Sequence, residues 1–598
     1  MMVTPDTALP DLPSATTKAG AFVQQLCRAV LSQAAETRAN LYSHWQRPLA
    51  ERVASGRAIA ALQVAAVGFD GQLTLRCAQN QSRFREGDML ILHRGDPFAD
   101  PRLLVTLELD EDTELWVSSD DPALHTAGKI DLTGEWVLDE GFLDLSDAMI
   151  DAINQAADSA IGRERILPLL LDEQKTGSDI ERYDHAIRRA EEWGLNDEQA
   201  EALAGCYANT LAYLIQGPPG TGKTEVLARL AQLLAEDGER VLITAFTHRA
   251  INNALNKVAT LCARDQAPIS VIKIGANARN DDLLCEQAGT FELSSVAEQA
   301  GGYILGATPF ATRTRRLSGV TFDTVIFDEA SQITLPLAIM GMLAGRKFIF
   351  IGDQQQLPPV LATRHDDHVL GESVFATLLD RGIDSMLTAT YRMNAALTAW
   401  PSAQFYAGRL YADISVSARR ISYQSAPRRF ADILDPEHPA VFVDLGHQYA
   451  RTHAEPEARL AADLVEELLY AGILASEIGV VVPYRTQSRL IRSLLRQLLP
   501  DDRDLRRQVV VDTVERMQGQ EREVVIISLT TSDPLFASNL ARFLFQPQRL
   551  NVAITRPRSK LIVLGSRFLL DAAPAEPQGQ EGLACLRSFL EQCQQQVL

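Results

Sequence analysis

A chain of 598 residues with 46% apolar content exceeds what one hydrophobic core supports, so several folded domains are expected. Its net charge of −20 argues against a protein that coats duplex nucleic acid, but leaves room for one holding a few nucleotides in a locally basic channel. The seven cysteines form no C-x-x-C pair, which argues against a zinc ribbon or closely spaced cluster ligands and fits buried, reduced thiols.

In chain order, residues 1–55 read as helical, with Phe22, Val23, Leu26, Val30 and Leu31 at helix spacing and no Pro or Gly between Gly20 and Pro48. The opening residues lack a basic segment followed by an apolar core. No stretch approaches the ~18 uncharged apolar residues that span a bilayer, so no membrane association and a soluble, intracellular (cytoplasmic) protein are expected. Residues 56–142 change to short alternating runs (ALQVAAVGF, QLTLRC, DMLILH, LLVTLEL, ELWVSS) between Gly, Asp and Pro turns, the pattern of a small β-barrel. A second helical stretch covers 143–190.

Beyond it, AYLIQ, RVLITA, TVIFDE and KFIFIG, then IGVVVPY, EVVIIS and KLIVLG, alternate with helical segments. Such apolar runs indicate parallel sheets covered on both faces, hence two α/β domains, 191–375 and 376–598, with a seam near residue 376. The glutamine-tinged C-terminus reads as a frayed tail.

Two motifs carry chemistry by themselves. After AYLIQ comes Gly217-Pro218-Pro219-Gly220-Thr221-Gly222-Lys223-Thr224 and then a strongly helical run, the strand, Gly-rich loop and helix of a P-loop. Glycines let backbone N–H groups converge on phosphate oxygens at a helix N-terminus. Lys223 supplies a point charge for the β and γ phosphates of ATP, and the Thr224 hydroxyl a ligand for Mg2+. Downstream, TVIFDEAS sets Asp328 and Glu329 at the end of an apolar strand. Asp328 is suited to holding magnesium, and Glu329 to orienting or deprotonating the attacking water.

The order of motifs from about 191 to 570 resembles superfamily 1 helicases, B branch, the group containing the nonsense-mediated-decay helicase and the helicase portion of the Okazaki-fragment nuclease-helicase. The resemblance implies two tandem RecA-like P-loop domains, preceded by helical stalk segments (1–55 and 143–190) and a 1B-like barrel. It further implies an ATP hydrolase that moves along single-stranded DNA or RNA in the 5'-to-3' sense and unwinds duplexes.

Within LNDEQ, Gln199 matches the adenine-reading glutamine, and DEASQ is this family's form of the magnesium-binding element. GDQQQLPPV, Gly352 to Val360, matches the element that couples the γ-phosphate to the strand site, with Gln356 in the sensing position and Asp353 beside it. ATYRMN carries Arg392, matching one arginine finger, and Tyr391, matching the residue that stacks on the base of ATP. RLNVAITRPRSK carries Arg549 and Arg556, of which Arg556 matches the other finger. VDTVERMQGQE implies nucleotide-side roles for Gly519 and Glu521 and a backbone contact for Thr513.

Further strand contacts are implied for Thr247 and His248 in TAFTHRAINNAL, Thr308 and Pro309 in GATPFAT, and Pro483, Tyr484 and Gln487 in VVPYRTQ. The pattern departs at Asn394, where many relatives have His, at Met517, where an aromatic is common, and at Pro557, where Ala is frequent. None of these removes a charged catalytic group. No nuclease motif is visible, so a separate nuclease or other processing protein is an expected partner. The alternative reading is a strand-stimulated ATPase that clamps or remodels without processive unwinding.

Overall fold

The computed structural model describes residues 17–68, 71–84, 87–111, 113–119, 130–174, 176–275, 283–359, 368–500 and 502–597. The first 16 residues of the expected helical segment and Val360 of GDQQQLPPV lie outside them.

Lys18–Trp45 is one helix of 28 residues, about 42 Å long at 1.5 Å per residue. Thr17 caps it by accepting the Gly20 N–H. At its start Val23, Leu26, Cys27 and Val30 share a core with Ile150 and Ile153 of helix Ser146–Asp158 and with Leu242 and Ile272 of the first large sheet. At its end Leu41 and Trp45 pack on Ile91 of the β module. One helix therefore fastens the β module to the first lobe.

That module is a closed antiparallel barrel, in the strand order Ala58–Val67, Gln72–Arg76, Glu114–Ser118, Arg102–Asp110, Met89–His93, Trp136–Glu140. Alternation does the work: along Arg102–Asp110, Leu103, Val105 and Leu107 point inward and are buried. The strand Trp136–Glu140, absent from the alternating runs of the sequence, closes the ring. Four of its five residues are buried, Asp139 included, so it shows no alternation to read.

The first lobe is an eight-stranded sheet in the order Glu286–Ala288, Ser270–Ile274, Tyr303–Gly306, Arg240–Thr244, Thr324–Phe327, Lys347–Gly352, Ala212–Gln216, Asp384–Met386. All pairs are parallel. Strand Asp384–Met386 bonds to the P-loop strand, so the first sheet runs past the seam expected near residue 376. The second lobe is a six-stranded parallel sheet in the order Val510–Thr513, Ile478–Val482, Arg522–Ser528, Pro557–Gly565, Ala440–Asp444, Gln594–Val597. Its last strand corrects the expectation of a frayed tail: Gln594–Val597 pairs with Val441–Asp444 as an edge strand, where backbone bonding suffices and polar side chains remain exposed. The two lobes are tandem RecA-like α/β units.

Candidate ATP site and strand cleft

Strands Ala212–Gln216, Lys347–Gly352 and Thr324–Phe327 are neighbours, so their C-terminal ends present the P-loop, the GDQQQ element and Asp328–Glu329 side by side. The loop is tied to the second of these by Gly217 N–H donating to the Gly352 carbonyl at 2.9 Å. Its glycines are required by space. A Cβ on Gly217 would lie 2.1 Å from Lys223 Cγ, and one on Gly222, at φ +85°, 2.5 Å from Gln199 Nε2.

Lys223 opens helix Lys223–Glu236, placing it and Thr224 where the helix dipole and free N–H groups favour an anion. Its ammonium donates to the Gly217 and Pro218 carbonyls. Burial holds its pKa below the usual lysine range, countered by the negative charges of Asp353, Glu329 and Asp328. Burial, and then the like charge of Glu329, raise the carboxyl of Asp328. Glu329 sits in the left-handed region at φ +49°, and its N–H donates to Asp328 Oδ1 at 2.9 Å. Asp328 beside the Thr224-bearing loop is a hard-oxygen donor set that fits Mg2+.

Gln199 is fastened before any base reaches it. Its Oε1 accepts the Asn196 N–H in a capping box, and its Nε2 donates to the Thr221 carbonyl at 3.1 Å. Asn196 Nδ2 donates to the Tyr391 hydroxyl at 2.6 Å, bringing the expected adenine-reading and base-stacking residues to one rim.

The second lobe meets this surface directly. Tyr391 N–H donates to the Gly220 carbonyl at 2.8 Å, and Arg392 follows, its Nε on Glu521 at 2.8 Å and its NH1 on the Thr555 carbonyl at 3.1 Å. Arg556 is 1% exposed and donates to the Val552 and Gln520 carbonyls. Burial, and then repulsion from Arg392, push its pKa down to about 9, while Glu329 and Glu521 oppose this. Glu329 thus lies within electrostatic reach of both Lys223 and Arg556.

A second bridge joins the lobes through Asp353, which is fully buried. Its Oδ2 accepts from Gln356 Nε2 and from the Tyr406 hydroxyl, both at 2.8 Å. Asn551 Nδ2 in turn donates to the Tyr406 oxygen and the Gln355 carbonyl, each at 2.8 Å. Because Asn551 lies on the helix that leads into Arg556, the expected sensor Gln356 and the expected finger share one polar network. Gly519, at φ +73°, makes the turn between Gln518 and Glu521.

The expected strand contacts divide. Pro483, Tyr484 and Thr513 line a cavity of about 1120 Å³ between the second lobe and the barrel, whose side is formed by Asn80, Ser82 and Phe84 among others. Thr513 Oγ1 is buried there with no hydrogen-bond partner among the described residues. Thr247 is exposed and caps helix His248–Arg264. His248 beside it is exposed on one side, and its imidazole pKa is lowered by desolvation against the neighbouring chain and then by the positive charges of Lys273 and Arg316. Thr308 accepts the Ala311 N–H at 3.4 Å in a tight turn.

Two side chains face inward instead. Pro309 is buried, with its carbonyl accepting from Thr312, and Gln487 is fully buried, with its amide bonded to both backbone groups of Ala454 and to Ser528. A glutamine on the strand-facing segment has two amide ends to satisfy, and here the fold satisfies both. The departures have local reasons too. Asn394 caps helix Ala395–Phe405 through Leu397 N–H at 2.9 Å, Met517 fills the second core, and Pro557 starts a strand.

Sequence reading passed over Gln518 and a set of arginines. Gln518 Nε2 donates to Glu329 Oε2 at 3.1 Å, across the lobes. Arg485, Arg489, Arg492 and Arg496 recur at helix spacing on Arg485–Leu498, a signal of one basic face that was present in the sequence. Seven arginines, among them Arg249 beside His248, line a cleft of about 600 Å³ against the barrel edge at Leu109–Glu111.

Residues 194–299 and 303–364 match one family described as an AAA domain, and residues 370–568 match a second with the same description. The mouse DNA replication ATP-dependent helicase/nuclease DNA2 is 31% identical over 417 residues, covering 64% of this chain and 38% of that protein. The Saccharomyces cerevisiae protein of the same name is 28% identical over 414 residues, covering 64% and 26%. The chain belongs to the superfamily 1 helicases.

This superfamily 1 chain spans less than two fifths of the length of either relative. Among solved structures, an Arterivirus nonstructural protein 10 (helicase) aligns over 90% of this chain and 82% of its own, at TM-score 0.37 and 13% identity. Among the described residues of this superfamily 1 chain, no helix is long and apolar enough to cross a membrane.

Proposed function

We propose that this chain is an ATP-dependent helicase or translocase that acts on single-stranded nucleic acid, moves 5'-to-3' and opens duplexes. The observation that carries this reading is the meeting of both lobes at Glu329: its carboxylate accepts from Gln518 of the second lobe, and its charge acts on Lys223 of the first and Arg556 of the second.

In this reading the N–H groups of Gly220 to Thr224 cradle the ATP phosphates, Lys223 meets the β and γ groups, and Gln199 and Tyr391 hold the adenine. Mg2+, held by Thr224 and Asp328, supplies charge neutralisation of the phosphates. Glu329 orients a water onto the γ-phosphorus and takes its proton as the bond to the β–γ bridging oxygen breaks. Arg392 and Arg556 offset the charge that develops there. Gln356 and Asp353 report the phosphate state through Tyr406 and Asn551 to the second lobe. Hydrolysis then depends on lobe closure, and alternating closure and opening shifts the grip on the strand.

We assign the barrel to the 1B position of the family and Lys18–Trp45, with the helices of 143–190, to its stalk. Single-stranded DNA or RNA is the partner class, and a separate nuclease or other processing protein an additional one. ATP turnover measured with and without single-stranded DNA and RNA tests the reading, followed by displacement of duplexes tailed at either end. Lys223→Ala abolishes turnover and keeps strand binding; turnover retained in that variant refutes the P-loop assignment. The contacts binding the barrel to the second lobe favour, as a second reading, a clamp that holds without unwinding. Stimulated turnover with no duplex displacement selects it.

A further inference from the structure

The barrel is covalently part of the first lobe, yet its acidic edge is fastened to the second. Asp110 is paired with Arg489 at 2.9 Å and Arg485 at 3.4 Å, and Glu111 with Arg507 at 2.7 Å and Arg503 at 3.0 Å. Arg485 and Arg489 also donate to the carbonyls of Phe84 and Ser82. Each carboxylate accepts from two guanidinium groups, the arrangement that arginine forks also make with phosphate.

The position of these arginines matters as much as their number. Helix Arg485–Leu498 begins immediately after Pro483 and Tyr484, so Arg485 and Arg489 line the cavity that holds Thr513. Arg492 and Arg496, one and two turns on, line the neighbouring cleft together with Arg503, Arg507 and, from the first lobe, Arg249. A basic track therefore links the strand-contact positions of the two lobes, in a chain whose net charge is −20. Asp110 and Glu111 lie across it.

We propose that Arg485, Arg489, Arg503 and Arg507 form a binding strip for the phosphodiester backbone of a single strand, and that Asp110 and Glu111 cover it as phosphate surrogates until the strand displaces them. The inference rests on the function proposed above and adds to it a site and a competitive cover. Like a phosphodiester, each carboxylate brings one negative charge to two guanidinium groups, so exchange leaves the arginines as well compensated as before, while the displaced acids must come into water. An acidic cover also suppresses weak, indiscriminate binding of the strip to polyanions.

The test is fluorescence anisotropy of labelled oligothymidylate and oligouridylate across about 50 to 200 mM salt, with the full chain and no nucleotide. Arg503→Ala/Arg507→Ala is expected to weaken binding roughly tenfold and to lower the slope of log affinity against log salt by about two. Glu111→Ala, at a half-buried carboxylate whose two arginines are exposed, is expected to tighten binding about threefold, with thermal unfolding checking that the fold is kept. That gain should vanish when Arg503 and Arg507 are also removed, whereas a general change in net charge would leave it in place. Asp110→Asn, which preserves packing, should tighten binding in the same direction.

If the arginine variant keeps the wild-type salt slope, or Glu111→Ala still tightens binding without the two arginines, the strip and its cover are wrong. Should the wild type bind strand and show stimulated ATP turnover while these variants behave like it, the inference falls alone. Should the wild type bind no strand, it falls together with the proposed function.

Discussion

Gln518 of the second lobe donates its amide N–H to the Glu329 carboxylate of the first, at 3.1 Å. A residue just after the cavity-lining Thr513 segment thereby touches the group proposed to orient the attacking water. Removing the amide leaves the P-loop and its glycines untouched but frees Glu329 to rotate. Gln518→Ala is expected to lower strand-stimulated kcat about tenfold with KM for ATP changed less than about threefold. Steady-state kinetics at saturating oligonucleotide decide it, and an unchanged kcat would reduce the contact to packing.

Gly220 separates strain from collision. A Cβ there would lie 2.4 Å from Arg392 Cβ and 2.5 Å from Thr390 Oγ1, with φ at +77°. Gly238 has a similar φ of +85° but nothing within 4 Å of its Cβ position. Gly238→Ala should therefore cost only about 1 kcal/mol of stability and keep activity. Gly220→Ala adds displacement of the finger-bearing segment and should cut kcat/KM for ATP at least about a hundredfold. Parallel ATPase and thermal unfolding measurements on the two variants distinguish the effects.

The proposed ATP site is the most legible part of the sequence because its core motifs are contiguous strings. Gly217 to Thr224, Asp328–Glu329 and Gly352 to Gln356 each lie at the C-terminal end of one apolar strand, so a short string carries both the fold and the chemistry. What escaped were relationships between distant segments. Nothing in the string around Gln518 marks a partner 189 positions earlier, and the bond between Tyr406 and Asp353 spans 53. Gln487 differs in the opposite way: its motif position implies a strand contact, whereas in the fold its amide is taken by Ala454 and Ser528 in the interior. The closing strand Trp136–Glu140 and the edge strand Gln594–Val597 lacked apolar alternation, one because a buried acid stands in it, the other because it is nearly all glutamine.

That buried acid gives a test of the barrel. Asp139 is fully buried and pairs with Arg52, itself 2% exposed, while His93 Nε2 lies 2.8 Å away. Replacing the carboxylate leaves a guanidinium enclosed without its counter-charge, at a cost of about 3–5 kcal/mol. Asp139→Ala should expose the barrel to limited proteolysis and lower its unfolding midpoint, while strand-free ATP turnover in the lobes persists. Equal loss of both would show that barrel and lobes unfold as one unit.

Lys560 gives the second lobe a pH dependence of definite sign. Its ammonium donates to the carbonyls of Asp435 at 2.8 Å and His438 at 2.6 Å, and burial lowers its pKa from 10.5 to about 7, against the opposing charge of Asp435. Between these two values the unfolded chain holds the proton and the folded chain does not. Unfolding then takes up a proton, so this residue makes stability rise with pH across about 7 to 10.5 and contributes no slope below that window. Lys560→Met keeps the stem and removes the titration, and should flatten that part of the profile. The midpoint of chemical unfolding, followed at several pH values from 6 to 10 on wild type and variant, checks it. Parallel profiles for the two proteins across the window would mean that Lys560 keeps its charge when folded.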